Sequence, residues 1–179
     1  MPNVLISGNA ISGADYGVYM DDVWNVTVEG NEISDCENSG VFVYYASGVW
    51  IESNTITGCD EGVFVDEYVE DLIVGNNTIT VCYWAIYADY YEDIQHMEIW
   101  NNVFIDTEYG VELYPDRYLE VIWYVDAECR STRSNIEFYG PIYILAGGSM
   151  LLEDMEMYVS GGVTVDEGGL LSMSDVYVD

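Results

Sequence analysis

The 179-residue sequence predicts an all-β fold, a single-stranded parallel β-helix (solenoid) of about eight rungs of 21–25 residues. Three observations predict it. Asn9, Asn31, Asn54, Asn77 and Asn102 recur at spacings of 22, 23, 23 and 25 residues, each followed two positions later by Ile11, Ile33, Ile56, Ile79 or Phe104. An alternating apolar stretch precedes each asparagine, as in Val26-Thr27-Val28 and Leu72-Ile73-Val74. A second stretch opens about eight residues behind it, as in Gly40-Val41-Phe42-Val43 and Gly110-Val111-Glu112-Leu113. Two clear strands and one very short one in a period in the low twenties are too little for a helix pair or a propeller blade, and suit one rung of a solenoid.

Each element has a physical reason. Successive side chains on a strand face opposite ways, so Val18, Val41, Val63, Ile86 and Val111 are expected to point into a narrow core. An asparagine at the same corner of every rung can bond its amide to those above and below, which satisfies buried polar groups that otherwise cost roughly 1 to 3 kcal/mol each. The glycines that open the second strand are expected to make a bend with unusual backbone angles.

With its Gly-Asn-x-Ile, Ser-Asn-x-Ile and Asn-Asn-x-Ile corners and its Gly-Val-x-Val strands, the chain resembles the right-handed parallel β-helix repeat proteins. These include pectate-lyase-like and copper-maturation periplasmic types and archaeal surface proteins. The resemblance implies a right-handed coil, and it speaks to architecture more than to function.

The repeat changes after the fifth asparagine. Gly140-Pro141-Ile142-Tyr143-Ile144 matches Gly161-Gly162-Val163-Thr164-Val165 at an offset of 21, with Gly147-Gly148 and Gly168-Gly169 as corners. The expected organisation over 1–179 is one elongated domain: asparagine rungs over 1–113, a transition over 114–138, and Gly-Gly rungs over 139–179. The transition holds all three arginines, Arg117, Arg130 and Arg133, and Trp123 to Phe138 can make a rung of its own. At about 4.8 Å per rung the rod is on the order of 40 Å long.

Thirty-three acidic residues against three arginines and no lysine give a net charge of −30. Such a surface repels nucleic acid, anionic lipid and acidic polysaccharide, and no apolar span for membrane insertion is visible. The acidity, seventeen tyrosines and sequons at Asn25 and Asn76 point to an extracellular, cell-surface location. No signal peptide is visible, and neither end carries a cap over its strand edges. The chain is therefore expected to be an excised piece of a larger protein or to have its ends covered by neighbours.

Cys36, Cys59 and Cys82, at spacings of 23 and 23, occupy one site on successive rungs, with Ala14 and Thr107 at the flanking positions. They read as a buried column of small thiols. Their Cα atoms, about 4.8 Å apart, would also allow one pair to oxidise. Three in-line sulfurs do not converge on a metal. Carboxylates stack as well, with Asp15, Glu37 and Asp60 before the second strand and Asp66 and Asp89 after it. They form either a solvated face or, with Ca²⁺, an irregular cation site; no cofactor is required. The motifs of lyases and pectinases on this architecture are missing, so no catalytic residues are assigned. A hydrolase of neutral glycans using two carboxylates stays open.

The outward positions are expected to carry contacts. If Val18 and its equivalents face inward, Tyr19, Phe42, Phe64 and Tyr87 face outward as an aromatic ladder, and Trp50 and Trp100 point outward from the first strand. An apolar stripe on so charged a chain marks a covered surface. Two function classes follow. One is a structural, self-associating component of an extracellular coat, such as a surface layer, sheath or adhesin stalk, whose partners are itself or neighbouring domains. The other is a carbohydrate-binding or carbohydrate-processing β-helix.

Overall fold

The structure is a computed structural model describing residues 3–88, 94–113 and 121–178. All the described strands belong to one parallel stack, and no helix occurs among the described residues. Three columns run the length of the stack. In the first, 4–7, 26–29, 49–52, 72–75, 97–100, 121–125, 142–144 and 163–165 pair in sequence. The second begins with Ala10–Ser12, Glu32–Ser34 and Thr55–Thr57 and ends in 149–153 and 170–174. The third begins at 18–21 and passes through Trp84–Ala88, Tyr109–Leu113 and Asn135–Phe138. This is the single-stranded parallel β-helix that the repeat predicts.

Val18, Val41, Val63, Ile86 and Val111 face the interior as the alternation requires, and the last four are fully buried. Ile33, Ile56, Ile79 and Phe104 fill the second column's inner side. The third strand of one rung and the first strand of the next are expected as separate elements. In the early rungs they are continuous, as in Val18–Glu29, Ser39–Glu52 and Glu61–Gly75. Single residues in the left-handed region, such as Asp22 and Asn25 or Tyr45 and Gly48, turn the chain there; they drop out of the pairing, which resumes on either side, with a register shift at Tyr45.

The other corners are equally regular. The residue before each ladder asparagine is left-handed whatever its identity: Gly8, Gly30, Ser53, Asn76 and Asn101. The same holds before the cysteine column at Asp35, Gly58 and Val81. Val81, with φ 57°, is a β-branched residue in this region, a conformation that costs on the order of 1–3 kcal/mol.

Gly17, Gly40 and Gly62, in contrast, are not bends of unusual backbone angle. They are points of close approach. A Cβ at Gly62 would lie 2.5 Å from the Ala85 carbonyl oxygen and 2.5 Å from Ile79 Cγ2, so glycine is required for steric reasons.

The asparagines form a ladder with a direction. Nδ2 of Asn9, Asn31, Asn54 and Asn77 donates to Oδ1 of the next asparagine at 3.0–3.1 Å. That same Oδ1 accepts the backbone N–H of the preceding asparagine at 2.9–3.0 Å. The second Nδ2 proton goes to a carbonyl one rung back, as from Asn54 to Val28 at 2.9 Å. Asn102 ends the series, because the pairing of Val103 with Arg130 puts Cys129 in the next position. Asn101 takes over there, its Oδ1 accepting the backbone N–H groups of both Asp126 and Ala127. Beyond it, Gly147 and Gly168, at φ 89° and 91°, turn the chain where asparagine corners did before. The intervening rung is filled by Trp123, Cys129 and Phe138, all fully buried. Arg130 pairs with Glu153 and Arg133 with Asp106; Arg117 lies outside the described residues.

Candidate functional site

The outward side of the third column is aromatic through its early rungs. Tyr19, Phe42, Phe64 and Tyr87 stand in register. Their successive ring centroids are 5.1, 5.3 and 5.3 Å apart. Such pairs contribute about 0.5–1.5 kcal/mol beyond area burial. The rings are not equally available. Tyr19 is 53% exposed, but Phe42 is only 8% exposed. Tyr16 and Tyr44 close over Phe42 from either side, at 5.3 and 6.1 Å. Phe42 therefore corrects the expectation of four exposed contacts: it is a packing residue inside the aromatic layer.

The layer extends past Tyr87 through residues the alternation did not single out. Trp84 stacks on Tyr87 at 4.7 Å, and Tyr83 meets Trp84 edge-on at 4.2 Å. The Trp84 indole N–H donates to Glu112 Oε2 at 2.7 Å. Glu61 stands in register with Trp84 and accepts the Ser39 hydroxyl at 2.9 Å. Burial raises the Glu61 pKa, and the Ser39 bond only partly offsets this. Rings and carboxylates thus share one surface. Trp84 became readable only once the register was known, because it lies just ahead of the alternating stretch that opens at Ala85.

Two further aromatic faces exist. Trp24, Tyr45 and Tyr68 surround a shallow pocket of about 190 Å³ at the corner after the third column. Tyr45 stacks on Tyr68 at 5.2 Å, and its hydroxyl is pushed up to about 12 chiefly by its hydrogen bond with Glu67. On the first column, Trp50 and Trp100 do not share a line. Trp50 is in register with Ile73 and then Glu98, while Trp100 begins a separate stack with Tyr124 and Tyr143 at 4.6 and 5.8 Å.

The single histidine lies between two carboxylates. His96 Nδ1 lies 3.1 Å from Asp71 Oδ1 and Nε2 lies 3.4 Å from Glu98 Oε1, beside Trp50 in a pocket of about 340 Å³.

The acidic candidates do not converge on one centre. The Asn38 amide bonds the Asp15 carbonyl as the Glu32 amide bonds the Asn9 carbonyl, which sets Asp15 over Glu37, whereas the Asp60 amide bonds the Asn38 carbonyl, one place past Glu37. Asp66 is in register with Tyr44, and Asp89 lies outside the described residues. Among the described residues no three of His, Cys, Asp and Glu converge as metal ligands.

All four cysteines are free and buried. Cys36, Cys59 and Cys82 direct their thiols at the carbonyls of Ser34, Thr57 and Thr80, at 3.8, 3.7 and 3.5 Å. Burial pushes Cys36 up to about 11 and Cys129 up to about 12. The thiol contact with Cys82 raises Cys59, and the same contact lowers Cys82.

This geometry defines a parallel β-helix with aromatic outer faces and an apolar core edged by the asparagine and cysteine columns. Residues 1–138 match the sequence profile described as periplasmic copper-binding protein (NosD), a right-handed parallel β-helix family, and the chain belongs to that family. No curated protein matches the chain, and no solved structure does.

Copper, which the family's description names, is taken by thiolate, thioether and imidazole donors that converge. Here the column sulfurs each turn to a carbonyl of their own rung, and both nitrogens of His96 face carboxylates. The described residues do not fit a preformed copper centre.

Proposed function

We propose that the chain is a non-catalytic, extracytoplasmic binding scaffold that holds a neutral glycan against the aromatic side of its third column. The observation that carries this reading is the joint surface of rings and carboxylates from Tyr19 to Trp84, with Tyr19 and Tyr83 open to solvent at 53% and 46%. Ring faces stack on the C–H faces of sugars, and the half-buried Glu61 supplies an acceptor for sugar hydroxyls. The span from Tyr19 to Tyr87 is three rungs, about 14 Å, enough for several sugar units. The net charge of −30 excludes an acidic chain and leaves a neutral one unopposed. The family's description as periplasmic supports a place outside the cytoplasm.

The test is native electrophoresis through gels containing neutral polysaccharides, in which so acidic a chain migrates fast and retardation is easy to read. At least one neutral polysaccharide should retard the parent, and the double change Tyr19→Ala, Tyr83→Ala should abolish the effect while the circular dichroism spectrum stays β-rich. Retardation unchanged by the double change, or absent with every neutral polysaccharide, overturns the proposal.

A second reading, a self-associating component of an extracellular coat, is favoured by one observation: aromatic residues occupy three outer faces, whereas a glycan platform needs one. Contact between two copies each carrying −30 requires screening or bridging cations. Assembly would therefore appear in light scattering as mass that rises with salt or Ca²⁺ in the absence of glycan.

A further inference from the structure

The lower half of the third column carries a second feature that the glycan reading does not use. Its outward positions form a grid. One line runs Tyr109, Asn135, and the next runs Glu112, Glu137, Tyr158. Tyr177 stands in register with Glu156, two rungs below Tyr109's neighbour Asn135. The short Asn135 side chain leaves a depression in this grid, a cleft of about 540 Å³. Tyr109 walls it above, Tyr158 and Tyr177 below, and Tyr139 at the side, with Glu137 and Glu156 in its lining.

The charged groups of the lining are all of one sign. Asn135 Oδ1 is occupied by the Glu156 backbone N–H at 2.9 Å, and the Tyr139 hydroxyl donates to Glu137 Oε1 at 2.6 Å. These bonds fix the lining in place. Tyr139 and Tyr158 meet at 5.1 Å with a 55° tilt, so their rings form a corner, not a flat shelf. Among the described residues no arginine or histidine lines the cleft. It offers ring faces, which are negative at their centres, and the carboxylates of Glu137 and Glu156, beside tyrosine hydroxyls and the Asn135 amide. A flat shelf suits a pyranose ring better than a corner does. An ammonium group needs only negative faces and acceptors, and aromatic corners bearing carboxylates are what such cations bind. The chain's charge of −30 raises the local concentration of cations around the cleft.

We propose that this cleft binds a small organic ammonium cation, a ligand carrying a quaternary or protonated alkylamine. The cation sits against the Tyr139–Tyr158 corner with Glu137 and Glu156 as counter-charges. Tyr109 joins the cleft to the upper aromatic layer, its ring 5.8 Å from Tyr83 and 6.4 Å from Trp84, but Glu137, Glu156, Tyr139 and Tyr158 have no part in the glycan reading, so the two stand or fall independently.

Choline and its uncharged isostere 3,3-dimethylbutan-1-ol test it by isothermal titration calorimetry at low ionic strength. Choline should bind, and the alcohol should bind at least about tenfold more weakly, a gap of about 1.4 kcal/mol. Glu137→Gln and Tyr158→Ala should each weaken choline binding about fivefold or more with the β-rich spectrum intact. Glu32→Gln, an exposed acid on the second column, should leave binding unchanged. Equal binding of choline and the alcohol overturns the proposal in favour of a merely apolar cleft. Loss in Glu32→Gln equal to that in Glu137→Gln reduces it to diffuse counter-ion attraction. No heat with choline up to tens of millimolar refutes it outright.

Discussion

Replacing Asn54 by alanine removes the middle of a buried, directional ladder, and the structure says which groups suffer. Asn54 is 1% exposed. Its Oδ1 accepts two protons from Asn31, one from the backbone N–H and one from Nδ2, both at 3.0 Å. Its Nδ2 donates to Asn77 Oδ1 at 3.0 Å and to the Val28 carbonyl at 2.9 Å. Asn77 is spared in part, because its Oδ1 keeps the Asn54 backbone N–H at 2.9 Å. Asn31 Nδ2 likewise keeps the Ile6 and Glu29 carbonyls. The Asn31 backbone N–H loses its side-chain acceptor. One orphaned buried donor costs about 1–3 kcal/mol and the lost Asn54 donations about 1 kcal/mol more. Asn54→Ala should thus lose about 2–4 kcal/mol in urea unfolding followed by far-ultraviolet circular dichroism. Asn9→Ala is the control: Asn9 is exposed and its Nδ2 donates to Asn31 and to the Ser7 carbonyl, so its loss should be under about 1 kcal/mol. Equal losses for the two variants would refute the claim that the ladder is satisfied from one side.

Two other outcomes follow from titratable groups. Burial raises the folded-state pKa of Glu61, so its ionised form opposes folding at neutral pH, and that opposition vanishes as pH falls through the raised value toward the unfolded value of about 4.3. Glu61→Gln should be at least as stable as the parent at pH 7, with the difference closing on acidification; a parent more stable than the variant at pH 7 contradicts it. The buried thiols should resist Ellman's reagent at pH 8 until the chain is denatured, with Cys129 the slowest and Cys82, whose pKa is lowered, the first to react. Rapid labelling of Cys129 in the folded protein would show that the transition rung opens.

Much of the coil was legible in the sequence because its period is carried by core residues, which have one acceptable place each. Ile33, Ile56 and Ile79 align in the sequence and in space for the same reason, a narrow interior that each of them fills. The corners were less legible. The left-handed residue before each asparagine is Gly, Ser or Asn by turns, so backbone geometry repeats where residue identity does not. Gly62 was visible but for the wrong reason, since close approach to Ala85 leaves no local signature. The outer surface was least legible. Alternation places Phe42 outside, but only the neighbouring Tyr16 and Tyr44 decide that it is covered. The cleft beside Glu137 depends on residues 109 to 177, which no single rung reveals.

The direction of the ladder makes the inner rungs interchangeable parts. Asn31 bonds Asn54 by the same two contacts with which Asn54 bonds Asn77. Excising residues 32–54 would therefore present Asn31 to Asn77 with every partner replaced in kind. The second column would still meet isoleucine on isoleucine, and the third would set Tyr19 against Phe64. Removing a single residue from the same stretch would turn its alternation inside out and strand one N–H per corner. The molecule's length is thus a quantity that changes in whole turns, and descent by duplication or loss of a rung leaves both its interior and its binding faces readable.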